Sequence, residues 1–513
     1  MTTSMSWLDL WLAGTAIYLI KCIVSKKNTH PFPPGPKPLP LLGNLLDMPF
    51  EKQWLAFSDW AEKFGTMIYL KIFGQHIIVL DSANAAVEVL EKNSSIYSDR
   101  PVFPMGGELV GWKEGLVLMP YGDKFREHRR NFHRVLGNRA AVSVYHPIEE
   151  AETHKFLQRV LAKPADLNAY LRMHIKWAII LRISHGYCIQ EGGDPLVDLA
   201  GKVLDDFAQY TAVGTFMVDR IPALAYLPEW FPGAGFKRKA RESRVELHDM
   251  FNQSFEFVKE QMAAGVARKS VASDLLERKT STEEEHGIKW SAGVMFAGGT
   301  DTTVAANLAF FLAMTLYPEA QKKAQAEIDA VIGSDRLPTL ADRESLPYVD
   351  ALAKEVLRWH VVVPVVLRCS TVDDIHNGYY IPKGTLVASN VYRMLHDPLT
   401  YPDPMEFNPD RFLPGEGKSL QTDPRNMCFG FGRRLMNEFE IPTGMHLADT
   451  SVWIMVAMSL AIFDISKVVE NGLEVIPEIN PMSGAISHPK PFKCSIRARS
   501  AKATELIQQD PHY

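Results

Sequence analysis

The chain has few cysteines and no cluster of them. Its 513 residues include five cysteines, namely Cys22, Cys188, Cys369, Cys428 and Cys494. No two form a C-x-x-C pair, so the spacing argues against a zinc site or a disulfide framework and is typical of reduced thiols facing the cytosol.

The chain also lacks a basic excess, internal repeats and low-complexity tracts. It carries 55 Lys and Arg against 60 Asp and Glu, which gives a net charge of −5. No run of basic residues offers a face for tracking DNA, so we expect no nucleic-acid partner. With 46% hydrophobic residues, the chain is able to bury a large core.

The first thirty residues differ in kind from the rest. Residues 7–24 are largely apolar, and Lys26 and Lys27 follow them. A bilayer-spanning helix needs about 20 mostly apolar residues, which this segment supplies if Lys21 extends to the interface. The basic residues predict that the remaining chain lies on the cytoplasmic side. We predict a membrane anchor at residues 1–30; an amphipathic helix lying on the membrane surface is the alternative.

A proline-rich hinge at residues 31–40 separates the anchor from a globular body. Its prolines exclude a helix and favour a stiff, extended segment. Residues 41–513 then read as one mainly α-helical domain with a smaller β portion. Strands are predicted at 66–72, 76–80, 379–381 and 385–388, a long helix at 289–316, and a final helix at 445–462.

A glycine pair lies inside the long predicted helix. Residues 297–303 read Ala-Gly-Gly-Thr-Asp-Thr-Thr. Each mid-helix glycine costs roughly 1 kcal/mol relative to alanine, so helix propensity does not explain the pair. The glycines permit a local widening beside the acid Asp301 and the alcohol Thr302, which suits dioxygen binding and proton relay. The alternative is a glycine kink in which Thr302 bonds back to a backbone carbonyl.

Two further motifs contain charged residues that can meet. Glu355 and Arg358 are spaced i,i+3, which places them on one face of a helix. Arg411 follows within Phe-Asn-Pro-Asp-Arg-Phe at residues 407–412 and is able to share Glu355. Such a network contributes specificity more than net stability. Downstream, residues 429–436 read Phe-Gly-Phe-Gly-Arg-Arg-Leu-Met.

These motifs, in this order, resemble those of the cytochrome P-450 monooxygenases of the fungal microsomal type. The similarity is strongest to members related to O-methylsterigmatocystin oxidoreductase, and it covers nearly the whole chain. It implies the cytochrome P-450 fold and haem b (iron protoporphyrin IX) as cofactor. It also implies insertion of one oxygen atom from O₂ into a small hydrophobic substrate of fungal secondary metabolism. Electrons would come from NADPH through an NADPH–cytochrome reductase, at the endoplasmic reticulum membrane with the catalytic body facing the cytosol.

The resemblance also implies roles for individual residues. Asp301 and Thr302 would deliver protons, and Glu355, Arg358 and Arg411 would form a structural network. The residues at haem-binding positions of the family are Arg129, Arg368, Phe429, Gly432 and Arg434. Residues 101–118 are expected to roof the pocket, unless they form an ordinary surface loop. The turn at residues 484–489 matches one that borders the substrate pocket in the family.

The chain departs from the family at the iron ligand. Met436 stands where the family has a cysteine, whose thiolate donates electron density to the iron. Cys428 lies eight residues upstream, which conflicts with the strict geometry of a ligand, and His446 falls on the following helix. We therefore assign no metal ligand. A catalytically silent member of the same fold is the alternative to an active enzyme.

Residues 435–443 form an insert flanked on both sides by intact motif, as a misplaced exon boundary would produce. We predict that cDNA sequenced across codons 430–446 lacks this insert and encodes a short loop with a cysteine. A transcript that encodes residues 435–443 as written contradicts this hypothesis.

Overall fold

The computed structural model describes residues 30–173, 178–190, 193–211, 215–278, 281–415, 419–432 and 444–509. The predicted anchor at residues 1–30 lies outside the described residues except for His30. Arg434 and Met436 lie outside them as well. The described chain is mainly α-helical with small sheets, as the sequence predicts.

The elements are numbered in chain order. The helices are α1 Gln53–Phe64, α2 Ala83–Ala86, α3 Asp123–Leu136, α4 Arg139–Ser143, α5 His146–Ala162, α6 Leu167–Met173, α7 Ile180–His185, α8 Pro195–Tyr210, α9 Met217–Arg220, α10 Gly235–Ala263, α11 Val271–Leu276, α12 Thr282–Leu316, α13 Pro318–Val331, α14 Pro347–Trp359, α15 Val391–Leu395, α16 Arg425–Cys428, α17 Met445–Ile462 and α18 Ala501–Gln508. Short π or 3-10 helices occupy Val87–Lys92, Pro104–Val110, Trp112–Glu114, Pro164–Asp166, Pro222–Tyr226, Leu340–Ser345 and Pro409–Phe412.

The strands build one larger sheet and several hairpins. They are β1 Met67–Ile72, β2 Gln75–Leu80, β3 Val365–Cys369, β4 Asp374–His376, β5 Tyr379–Ile381, β6 Leu386–Asn390, β7 Phe463–Ser466, β8 Val468–Glu470, β9 Leu473–Val475 and β10 Ser495–Ala498. The four-stranded sheet has the order β1-β2-β6-β3, with β2 and β6 parallel and the other pairs antiparallel. The predicted hairpin of β1 and β2 and the predicted strands β5 and β6 are confirmed within one or two residues.

Helix α12 passes through the middle of the described core. Its N terminus carries a capping box, in which the Ser281 hydroxyl accepts from the Glu284 amide and the Glu284 carboxylate accepts from the Ser281 amide. The helix begins at Thr282, so the residues Thr-Glu-Glu-Glu at 282–285 open it as the sequence predicts, seven residues before the helical run predicted from residue 289. It stays α-helical throughout, so the local widening expected at the glycine pair is wrong.

Helix α17 is apolar enough to cross a membrane by length and composition, but 78% of its residues are buried inside the protein. It packs against α5, α12, α13 and α14, which makes it a core helix. Its predicted bounds at 445–462 are confirmed. The prediction that it is the final helix is wrong, because the shorter α18 follows.

The buried carboxylate of Glu355 holds two arginines. Arg358 donates from Nε to Oε2 at 2.7 Å and from Nη2 to Oε1 at 2.8 Å. Arg411 donates from Nε to Oε1 at 3.1 Å, and the Asn408 amide donates to the same oxygen at 2.8 Å. All three charged side chains are buried. Arg358 also donates to the carbonyls of Leu395, Pro404 and Glu406. The network thus fixes the segment 395–411 to α14.

We predict that Glu355→Ala lowers the free energy of unfolding by about 3–5 kcal/mol, because it leaves two buried guanidinium groups without their carboxylate. Urea unfolding of the purified protein measures this change. The matched control is Glu319→Ala, which removes an exposed ion pair with Lys322 and is expected to leave the urea midpoint unchanged. Equal effects of the two substitutions would contradict the prediction.

Candidate functional site

The middle of α12 faces open space although both halves of the helix are buried. Residues 290–296 and 303–315 are buried, whereas Gly298 is exposed, and a Cβ at Gly298 would meet no atom within 4 Å. The adjacent glycine has a different role, because a Cβ at Gly299 would lie 3.1 Å from the side chain of Ile180 on α7. One glycine therefore keeps the opening free, and the other allows two helices to approach.

Asp301 and Thr302 stand beside this opening. They follow Gly298 by three and four residues, so all three share one face of α12. The Thr302 hydroxyl donates to the Gly298 carbonyl at 3.0 Å, which is the bond expected in the alternative reading of the motif. Oδ2 of Asp301 lies 3.0 Å from Nε2 of His488. The structure thus brings together an acid and an alcohol at a concave face.

Two arginines converge on one backbone carbonyl, that of Leu367 on β3. Arg368 on β3 is 2% exposed, and it donates to the carbonyls of Leu367 at 3.1 Å and Phe431 at 3.3 Å. Arg100 donates from Nη1 to the same Leu367 carbonyl at 2.7 Å. Burial lowers the pKa of Arg100 to about 10. Its Nε is enclosed and has no hydrogen-bond partner within the part of the chain that the structure describes.

Sequence reasoning missed Arg100. It lies in the run Ser-Asp-Arg-Pro at residues 98–101, directly before the segment predicted to roof the pocket. Arg129, by contrast, was singled out and lies half-buried on α3, which packs against α12. Nothing in the sequence separates Arg100 from a surface arginine, because its significance comes from its contact with Leu367, 267 residues away.

The segment before the iron-ligand position leaves the core through a glycine that no other residue can replace. Phe429 is half-buried after α16, and Phe431 is buried among the side chains that surround β2 and α15. Gly432 has φ +87°, and a Cβ there would lie 2.7 Å from the carbonyl oxygen of Leu90. The left-handed conformation and the close approach both require glycine. Arg434 and Met436, which follow, lie outside the described residues.

The two alternative ligands do not gain support from the structure. Cys428 ends the short helix α16, and burial raises the pKa of its thiol. A thiol that stays protonated is a poor metal ligand. His446 is buried near the start of α17, on the helix that follows the expected ligand position. The described residues contain no group of three or more potential metal-ligating side chains.

The described residues nevertheless fit a flat cofactor that carries carboxylates. An enclosed guanidinium nitrogen of Arg100 needs an acceptor, and carboxylates are the acceptors that arginine binds best. Arg368 donates to the same Leu367 carbonyl, and α12 is exposed at Gly298. Arg100 and Arg368 would hold the carboxylates of such a cofactor.

The predicted pocket roof at residues 101–118 is largely buried and contacts α12. The π-helical turn Pro104–Val110 packs against α10, and its Met105 is fully buried. A Cβ at Gly115 would lie 2.7 Å from Cγ2 of Val294, one turn before Gly298 on α12. The segment is therefore part of the core beside the opening and differs from an ordinary surface loop.

The comparisons with known proteins identify the family of the chain. A family model described as Cytochrome P450 matches residues 33–496. Cytochrome P450 monooxygenase 208 of Postia placenta is 50% identical over 478 residues, covering 93% of this chain and 92% of that protein. Cytochrome P450 monooxygenase claR of Ampulloclitocybe clavipes is 44% identical over 503 residues, covering 98% and 92%. Cytochrome P450 monooxygenase ppsD of Aspergillus oryzae is 41% identical over 513 residues, covering 98% and 95%.

The matched region contains the open face of α12, the buried Glu355 network and the paired arginines. The relatives align over nearly their whole lengths, so the agreement extends beyond single motifs. The chain belongs to the cytochrome P450 family of fungi and is a P450-type monooxygenase.

Proposed function

We propose that the chain is a membrane-anchored haem monooxygenase of fungal specialised metabolism. It inserts one oxygen atom from O₂ into a small hydrophobic substrate, with electrons supplied by NADPH through a membrane-bound reductase. The anchor is residues 1–30, the hinge 31–40 and the catalytic body 41–513, on the cytosolic face of the endoplasmic reticulum. The observation that carries the proposal is the opening at Gly298 with Asp301 and Thr302 beside it.

The proposed cofactor is haem b, which when bound supplies a redox-active iron able to activate dioxygen. Arg100, Arg368, Arg129 and Arg434 are proposed to bind its carboxylates through charge-assisted hydrogen bonds. Phe431, next to the proposed haem-loop residues Phe429 and Gly432, is buried, so the start of that loop is fixed by packing.

The proton is proposed to pass through the side chains of α12. Thr302 Oγ1 holds a proton at the opening, and its present acceptor is the Gly298 carbonyl. Asp301 is half-buried on the same face and replaces the proton that Thr302 gives up. Residues 104–110 pack against α10 and bury Met105 and Val110, and they are proposed to supply apolar surface for the substrate.

A catalytically silent protein with the same fold is the second candidate. It is favoured by Met436 in the sequence and by the half-buried Cys428, whose thiol pKa is raised by burial, because neither residue readily supplies a thiolate. The two candidates share the pocket and differ only at the iron ligand.

We predict that the chain as written, reduced and exposed to CO, shows an absorbance maximum at about 420 nm or binds no haem, because it lacks a thiolate. A version in which residues 435–443 are replaced by a short cysteine-containing loop is expected to show an absorbance maximum at about 450 nm. Absorbance spectra of the two purified proteins measure the difference. A repaired version that folds but takes up no haem would overturn the proposed function.

We also predict that Arg100→Leu and Arg368→Leu, each made in the repaired version, weaken haem binding by about tenfold or more, because each removes a charge-assisted hydrogen bond. Haem titration followed by absorbance measures the affinity. Arg241→Leu is the control, since Arg241 forms an exposed ion pair with Glu229. Unchanged affinity in both pocket variants would contradict the assignment of these arginines.

A further inference from the structure

The acid of the proposed proton-delivery pair is held by a histidine from the far end of the chain. Nε2 of His488 lies 3.0 Å from Oδ2 of Asp301, across 187 residues of sequence. The side chains are 14% and 29% exposed, so the pair is partly shielded from solvent. A charge-assisted hydrogen bond in such a setting fixes the orientation of the carboxylate.

His488 belongs to a tightly closed turn, residues 481–489. Pro481 and Pro489 face each other across an isolated bridge, and the Met482 amide donates to the His488 carbonyl at 2.8 Å. The Ser487 hydroxyl donates to the Met482 carbonyl at 2.9 Å. At Gly484 φ is +153°, and a Cβ there would lie 2.9 Å from the Ile486 carbonyl oxygen. These contacts fix the position of His488 within the turn.

The same turn is bound to the end of α14. The Ser487 amide donates to the Val362 carbonyl at 2.8 Å, and Nε2 of His360 lies 2.9 Å from the Ser487 carbonyl. Burial lowers the pKa of His360 to about 4, so its imidazole is neutral at pH 7 and its Nε2–H donates to that carbonyl. The backbone on the N-terminal side of His488 is thus held at the end of α14, and the contact of His488 with Asp301 adds a second attachment for the same turn.

The residues on either side of His488 line a separate cavity. Ser487 and Pro489 line a cavity of about 230 Å³, together with His360 and Val361. His488, between them, reaches Asp301 instead. A molecule that displaces the turn from either side therefore also moves the group that holds Asp301.

The second nitrogen of His488 is shielded from solvent. Its Nδ1 is buried and has no hydrogen-bond partner within the described ranges. The imidazole thereby connects Asp301 to the interior of the turn.

We propose that His488 is a positioning residue for Asp301, and that it couples the orientation of this carboxylate to the turn at residues 481–489. The proposal rests on the proposed function and deepens it. With His488 in place, Asp301 supplies protons from one fixed orientation. Without it the carboxylate loses this hydrogen bond and its orientation is less restricted, and more of the electrons from NADPH are lost in the side reaction O₂ + NADPH + H⁺ → H₂O₂ + NADP⁺.

The coupling is tested first by amide hydrogen exchange on the full chain as written, which requires neither haem nor activity. His488→Leu is expected to speed exchange at the Met482 and Ser487 amides by about tenfold, the effect of losing one charge-assisted hydrogen bond. Asp301→Ala is expected to do the same, and the double variant no more than either single one. The proposal would be overturned if His488→Leu left the exchange rates unchanged, or if the effects of the two single substitutions were fully additive in the double variant.

A control substitution close to the turn distinguishes loss of the His488–Asp301 hydrogen bond from a general disturbance of the turn. Lys490→Gln removes an exposed ion pair with Glu478, two residues from His488, and is expected to leave the exchange rates unchanged. His488→Gln keeps an N–H donor at the position of Nε2 and is expected to restore most of the protection that His488→Leu removes. Failure of glutamine to restore it would mean that the ring's packing, not its hydrogen bond, matters.

The positioning role is tested in the repaired, haem-loaded protein supplied with reductase. His488→Leu is expected to speed NADPH-driven peroxide release by about tenfold, with unchanged haem content, and His488→Gln to release peroxide at the rate of the unsubstituted protein. Equal rates in the leucine variant and the unsubstituted protein would overturn the positioning role. If the repaired protein binds no haem, the proposed function fails, whereas the exchange experiment still decides the contact between His488 and Asp301.

Discussion

The buried carboxylate of Glu355 is the interaction on which both sides of the site depend. It fixes Arg358 on its own helix and Arg411 in the segment that leads toward the haem loop. The same helix, α14, ends at Trp359, immediately before the residues that bind the turn at 481–489. A single ion network therefore sets the distance between the loop side of the pocket and the turn that reaches Asp301. Its desolvation cost is offset because every carboxylate oxygen has a donor.

Most of the fold was predictable from the sequence because its signals are local. The β1–β2 hairpin follows from two strand-like segments with Gly74 between them, and the Glu355–Arg358 pair follows from helical spacing. The helix bounds at 445–462 follow from a largely apolar segment. The widening expected in α12 was wrong because Gly299 serves the packing against Ile180, which periodicity alone does not reveal.

The parts of the site that escaped prediction depend on contacts between distant residues. Arg100 acquires its meaning from a carbonyl on β3, and His488 from a carboxylate 187 residues earlier. Neither residue differs in the sequence from a surface arginine or a turn histidine. By contrast, the departure at Met436 is visible in the sequence and lies outside the described residues.

The burial of α17 has a consequence for biosynthesis. The ribosome completes α5, α12, α13 and α14 before it reaches Met445, so the surfaces that receive α17 exist when that helix emerges. A nascent chain in which docking is delayed displays eighteen residues that chaperones and membrane-insertion machinery bind. The segment directly before α17 sets the tether length for docking. An altered segment there would change the cellular abundance of the protein as well as its chemistry.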